Sequence, residues 1–407
     1  MFVLLALLAA CGSSGSENAL NGRILLWHSW PEEEAAVLDA ALQEFTSIHP
    51  DATIISTFVP ATEIRERYEA TAPQGLGPNL LIGRASWASP LAAAGLLSDW
   101  ESFETTIFNF TAPAVRNLRS GDDNGLYGLP LSVSSRMLFY NRNNTSQAVD
   151  TVDSLFAAAE SGQTVALPVS FQDAYWGIEA FGEGLFTSDG QFQLRESGLV
   201  DWLTRLKDAQ EAPNIILSRD PVAVRQLFLQ GNATYYIGAA TDQEQMQAVL
   251  GADVVGVAAL PSGPNGSARP LLQGEALMLN PASSAQQTAV ATAVAEFLTN
   301  EEQATLFMRE TGRAPANRQV DVNGRIYPNI AAIAFQSRSA VFLPRAFVLD
   351  ELSEIGDLAY ANVLSGLQTP LEASCAFGRA VIAAYPDDVS PDPLPTNCPP
   401  PATEDGS

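Results

Sequence analysis

The chain has 407 residues, of which 46% are hydrophobic and 16% charged; the length exceeds one compact core and implies two domains or lobes, and the apolar share excludes a disordered chain. Lys and Arg number 21 against 46 Asp and Glu, a net charge of −25. Such a surface excludes a nucleic-acid partner, which needs basic patches, and flat docking on anionic lipid.

In chain order, the apolar run through Ala10 is too short to span a bilayer and reads as an export segment, residues 1–10. Leu8-Ala9-Ala10-Cys11 resembles a bacterial lipoprotein cleavage box. That resemblance implies cleavage before Cys11, acylation of its thiol, and residues 11–21 as a flexible Gly/Ser tether to the outer face of the membrane. Ile24–Trp27 is a predicted strand. Pro31 opens a helix with Glu32, Glu33 and Glu34 at its positive end, Ser29 and Glu32 have capping-box spacing, and Leu38, Ala41, Leu42 and Phe45 form its apolar stripe. Strands at Thr53–Ser56 and Asn79–Gly83 alternate with helices over Ile64–Ala72 and Ser89–Leu97, the pattern of an α/β lobe with a mainly parallel sheet. Leu126–Asn141 reads as a long strand crossing between lobes.

A second α/β region follows. Strands are expected at Val165–Leu167, Ala233–Gly238 and Val254–Leu260, and helices at Ala174–Gly182, Gly198–Glu211 and Val222–Gln230. Gly274–Asn280 reads as a return crossing, and helices over Ser284–Thr299, Glu301–Arg309, Leu349–Ser365 and Leu371–Ala384 follow. With Cys11 assigned to lipid, Cys375 and Cys398 remain as an even pair in an oxidising compartment. A bridge between them is expected to pin the Pro-rich tail, 389–407, to the last helix, with disorder beyond Cys398.

Several blocks then stand in a telling order: Ile24–Trp30 before an acidic helix, Gly95-Leu96-Leu97-Ser98-Asp99-Trp100, Leu126–Asn141, Ala223–Ile237, and Gly312-Arg313-Ala314-Pro315-Ala316-Asn317. Together they resemble the extracellular solute-binding proteins of ABC importers, the family that includes the maltose- and other sugar-binding proteins. The resemblance implies an α/β, two-lobed, periplasmic-binding-protein-like (type II) fold with hinge-crossing strands. Lobe one is then 22–130 plus 273–325, and lobe two 131–272 plus 326–388. It implies a monomer that captures a carbohydrate in the interlobe cleft and delivers it to permease subunits by hinge closure, with no catalysis, cofactor or metal.

On that resemblance Trp30 and Ser29 lie in a ligand-contacting loop, although Trp30 equally suits a hydrophobic staple. Arg84 and Trp87 stand at the mouth of lobe one. Ser134 falls where some sugar binders place a Glu. Asp173 with Tyr175 or Trp176 is the lobe-two candidate set; one ring at most faces the cleft, and Asp173 also suits an N-cap. Asp242 follows a strand where many sugar binders carry a Trp, and Gln273 and Glu275 lie at the return crossing. Arg313 and Arg345 suit either the cleft or a turn. Rival readings are an exported glycan-active enzyme, for which no Gly-x-Ser-x-Gly elbow or zinc motif of His28 and His49 appears, or a binder of another ligand. Asp173, Asp242 and Glu275 suit a polyamine, and Arg84, Arg313 and Arg345 an organic phosphate. Tyr235-Tyr236 resembles the phenolate pair of ferric-ion binders, but strand alternation puts the rings on opposite faces.

Overall fold

The computed structural model describes residues 20–100, 107–120 and 125–400. The export segment, Cys11 and the last seven residues of the tail lie outside the described residues. The chain opens with β1 (Gly22–His28), α1 (Glu32–Ile48), β2 (Ala52–Phe58), α2 (Ile64–Thr71), β3 (Leu80–Arg84), α3 (Ala88–Ala93) and α4 (Ala112–Arg116). A short β4 (Arg119–Ser120) and β5 (Gly125–Leu126) pair with each other before β6 (Leu129–Ser134). Then come β7 (Arg136–Asn141), α5 (Val152–Glu160), β8 (Val165–Pro168), α6 (Phe171–Ala174), α7 (Ile178–Phe181), α8 (Leu199–Gln210), β9 (Ile215–Ser218), α9 (Pro221–Leu229), β10 (Tyr235–Ala239), α10 (Asp242–Leu250) and β11 (Val255–Ala258). The chain continues through β12 (Gln273–Leu279), α11 (Ala285–Thr299), α12 (Glu301–Thr311), β13 (Ala314–Pro315), α13 (Pro328–Ser339), α14 (Leu349–Leu364) and α15 (Pro370–Ala384).

Two sheets organise these elements, in the orders β13-β6-β12-β3-β1-β2 and β11-β7-β10-β8-β9. Each is mixed rather than mainly parallel. In the first, β1 runs parallel to β2 and β3, but β12 is antiparallel to β3 and β6, and β13 to β6. In the second, β8 runs parallel to β9 and β10, while β7 is antiparallel to β10 and β11. The reason is connectivity: β7 and β12 enter their sheets from the other lobe, and a strand arriving by crossover is free to run opposite to the βαβ units it joins.

The expected long crossing strand is two strands. β6 ends at Ser134 in the first sheet, β7 begins at Arg136 in the second, and only Ser135 lies between. The chain returns between β11 and β12. At the start of β12 Gly274 takes φ 151°, a conformation that only glycine adopts at low cost, and an added Cβ would sit 2.3 Å from the Ser132 carbonyl oxygen. The sheet register slips just beyond, between Glu275 and Ala276.

One apolar core runs through the first lobe and continues onto one face of the second sheet, where Phe139, Phe228 and Tyr236 pack. A second core fills the opposite face with Phe171, Trp176, Trp202 and Tyr360. Tyr235 and Tyr236 fall in different cores, as strand alternation requires. α1 starts with Pro31 at its cap and no side-chain cap bond, so the Ser29–Glu32 capping box does not form. Cys375 and Cys398 are joined, with Cα atoms 5.7 Å apart. The segment after α15 packs on lobe two: Val389 bridges to Phe192, and Leu194 N–H donates to the Pro393 carbonyl at 2.7 Å. Among the described residues no helix is long and apolar enough to cross a membrane.

Candidate functional site

A cavity of about 930 Å³ lies between the two sheets, at the upper end of the range for small-molecule sites. The crossing strands β6, β7 and β12 form its floor, and side chains of both lobes its walls. Of the expected residues, Ser29, Arg84, Trp87, Ser134, Gln273, Glu275 and Arg313 line it. Trp87 packs over Gly83, where an added Cβ would come within 2.6 Å of its ring.

The lobe-one wall is built around Arg313, which follows α12. Its Nε donates to Glu275 Oε2 at 2.7 Å, and another guanidinium nitrogen donates to Glu34. Its Cζ lies 3.7 Å from the Trp30 ring centroid. Trp30 in turn donates its indole N–H to Glu275 Oε1 at 2.8 Å and meets Phe307 edge-on at 5.3 Å. The guanidinium thus satisfies two carboxylates in plane and an aromatic face above it. Trp30 is buried beneath this lid and does not line the cavity, which corrects the expectation of a loop contact. His28 accepts the Trp30 backbone N–H on Nδ1 at 3.2 Å. Burial lowers its pKa, which favours the neutral ring that such an acceptor needs. Burial and the nearby Glu244 carboxyl raise Glu34 to about 7, with Arg313 pulling the other way.

The second lobe places its expected residues differently. Tyr175 and Trp176 are both enclosed in the second core, so neither ring faces the cleft, which corrects their place among the candidate contacts. The physical reason is the turn at Gly177, which packs so closely on α8 that an added Cβ would lie 2.2 Å from the Trp202 ring. Trp176 and Trp202 lie 4.7 Å apart, centroid to centroid. Asp173 is not the cap of α6; Ser170 is, and it accepts the Asp173 N–H at 3.0 Å. The Asp173 carboxylate instead holds Arg136 at 2.7 Å, behind the cavity wall. Asp242 is held by Arg225 at 2.8 Å and by the Tyr236 hydroxyl at 3.0 Å, away from the cavity. Arg345 also lies off the wall, its carbonyl accepting from the Ser89 hydroxyl at 3.5 Å.

These placements bear on the rival ligands. Asp173, Asp242 and Glu275, the carboxylates that suited a polyamine, are each ion-paired to an arginine. Of the three arginines that suited a phosphate, Arg313 is neutralised and Arg345 is not on the wall. Among the described residues no group of three His, Cys, Asp or Glu is placed to hold a metal ion.

Sequence reasoning missed part of the wall. Glu34, Arg136, Gln243, Glu244 and Asn329 all line the cavity. Glu34 read as one of three interchangeable acids at a helix start, whereas it is buried. Arg136 carried a signal, a lone cation heading a buried apolar strand. Four of the cavity-lining polar atoms are buried without a hydrogen-bond partner among the described residues: Ser134 Oγ, Arg136 Nε, Gln243 Oε1 and Asn329 Oδ1. Buried polar atoms are seldom left unpaired, and four around one cavity form a set of donors and acceptors for a polar guest.

The family model for bacterial extracellular solute-binding proteins matches residues 40–328. The galactooligosaccharide-binding protein of Bacillus subtilis is 23% identical over 392 residues, 90% of this chain and 91% of that protein. The maltotriose-binding protein of Pyrococcus abyssi is 26% identical over 148 residues, which are 36% of this chain and 30% of that protein. Among solved structures, the cyclic alpha-maltosyl-1,6-maltose binding protein of Arthrobacter globiformis is similar with a TM-score of 0.77 at 19% identity, covering 90% of this chain and 99% of that one. The last likeness shows the fold, two α/β lobes around a cleft. The family match over most of its length shows that this chain belongs to the bacterial extracellular solute-binding proteins.

Proposed function

We propose that this protein captures an oligosaccharide in its interlobe cleft and hands it to the permease of an ABC importer as the lobes close on the hinge at Ser135 and Gly274. The observation that carries this reading is the set of unpartnered buried atoms on Ser134, Arg136, Gln243 and Asn329 around one cavity. A hydroxyl both donates and accepts, so a polyol satisfies such a mixed set without bringing a charge. Trp87, which lines the same cavity from lobe one, supplies an aromatic surface for the C–H face of a sugar. Relatives named for maltotriose and galactooligosaccharide support the ligand class. The anchor belongs to this proposal too: acylation at Cys11 holds the protein outside the cytoplasmic membrane, within reach of its permease.

The test is a thermal-shift screen of the lipid-free chain, followed by calorimetry, against malto- and galacto-oligosaccharides, monosaccharides, spermidine and glycerol phosphate. A guest that binds only the folded state raises Tm by mass action. A rise with an oligosaccharide is expected. A rise with spermidine or glycerol phosphate alone would overturn the ligand class.

A further inference from the structure

Beyond α13 the chain runs outward from the hinge along the edge of the cleft. At Val341 it is tied to the returning strand: its N–H donates to the Pro270 carbonyl at 2.8 Å, and its own carbonyl accepts from the Leu272 N–H at 2.6 Å. By Leu349 it has entered α14, which belongs to lobe two through Leu352, Ala359 and Tyr360 of the second core. Between these points it touches lobe one on α4, α3 and α2 in turn. The Arg116 guanidinium at the end of α4 lies over the Phe342 ring, 5.7 Å from its centroid. The Arg345 carbonyl accepts from Ser89 of α3 at 3.5 Å. Asp350, in the first turn of α14, accepts from Arg65 of α2 at 2.6 Å.

We propose that residues 341–350 are a strap across the mouth of the cleft and that Arg65–Asp350 is its clasp, an ion pair made only between closed lobes that keeps part of the population closed without a guest. The pair stands at the edge of the cavity, which Leu349 and Asp350 line from lobe two and Ala61, just ahead of α2, from lobe one. Arg65 is held ready for its partner. Its Nε donates to Glu69 one turn on at 2.9 Å, and its Nη1 turns to Asp350. α2 packs on lobe one through Ile64 and Tyr68, so the guanidinium moves with that lobe.

The order of the contacts is that of a lever. In a hinge rotation a contact near the axis changes little and one far from it separates. Phe342 follows directly on the tie at Val341, whereas Asp350 is at the outer end of the strap; on opening, Arg65 and Asp350 part first. Even when paired, the Arg65 side chain is 28% exposed and that of Asp350 65%. Water therefore receives both charges when the lobes separate, unlike those around Arg313, and the clasp weights the closed state without locking it. An ion pair of this exposure shifts such a ratio by up to about fivefold. A guest that fits the closed cleft gains affinity in proportion to the fraction already closed.

The inference rests on the cleft being the closing site but not on what fills it, so it is tested on the ligand-free chain. Single-molecule energy transfer between dyes on exposed positions of the two lobes counts closed and open molecules. The wild-type chain is expected to show both. Asp350→Asn is expected to lower the closed-to-open ratio about two- to fivefold, Arg65→Gln to lower it as far, and the double variant no further, since the two side chains act through one bond. Glu66→Gln, an exposed position of the same helix, removes the same charge as Asp350→Asn and is expected to leave the ratio alone. Thermal melts confirm that each variant is folded. A wild-type chain with no closed molecules, an unchanged ratio in Asp350→Asn, additive losses in the double variant, or an equal fall in Glu66→Gln would overturn the clasp. Closure that responds as expected in a chain that binds no saccharide supports the clasp and sinks only the ligand reading.

Discussion

The two walls of the cleft are made from the same residue types and put to different uses. On lobe one the aromatic ring and the charges are locked together: Trp30, Glu275, Arg313 and Glu34 satisfy one another almost completely. On lobe two the expected rings, Tyr175 and Trp176, are core residues, and the wall is left to Arg136, Gln243 and α10 with unpartnered atoms. The lesson is a division of labour. A wall whose polar groups are already paired is a rigid platform, because moving any member leaves a buried charge exposed to loss. A wall with unmet hydrogen-bonding capacity is the one a solute completes, and domain closure brings it to the platform.

This contrast is open to breaking. The largest effect is expected for Arg313→Ala, which strands Glu34 and Glu275 without their counter-charge; the loss should be about 3–5 kcal/mol in urea unfolding. A loss below about 1 kcal/mol would show that lobe one is not a locked platform, its carboxylates being solvated as readily as a surface pair's. Trp176→Ala is expected to cost about 3 kcal/mol or more through the cavity it leaves against Trp202. Titration of that variant at a temperature where it stays folded should give the wild-type saccharide affinity; a weakened affinity would return the ring to the site.

Reducing the Cys375–Cys398 bridge, which spans 23 positions, should lower stability by about 3 kcal/mol through loop entropy. It should do so without altering the cleft, since neither cysteine lines the cavity. Unfolding with and without reductant measures the first, and calorimetry the second. The smallest effect sharpens the comparison most. Gln243→Ala removes one unpartnered acceptor from the lobe-two wall and should weaken oligosaccharide binding by about 1 kcal/mol, several-fold in Kd, while leaving Tm alone. A lowered Tm with unchanged Kd would place Gln243 in the scaffold instead.

Much of this molecule was legible before folding. The apolar stripe of α1, the helices α11 and α15 and the strand at Val165–Pro168 are local matters of periodicity. The Cys375–Cys398 bridge was legible by arithmetic on the cysteines. So was the family, since its blocks occur in order along the chain. Helices with weak stripes, such as α10 and α13, were not read at all, because their burial comes from neighbours far away in sequence.

The site divided along the same line. Residue type and position in a loop were enough to place Arg84, Trp87, Ser134, Gln273, Glu275 and Arg313 along one cavity. Which way a side chain turns is a tertiary decision. Trp30 and Trp176 are both large rings near a strand's end; one lies under Arg313 and the other against Trp202 because packing and charge pairing from distant segments were available to each. Asp173 and Asp242 look like free acids in sequence and are neutralised by Arg136 and Arg225 in space. That Glu34 and Glu244 line one cavity is decided wholly by tertiary structure, since proximity across 210 positions is a property of the fold and of no local pattern.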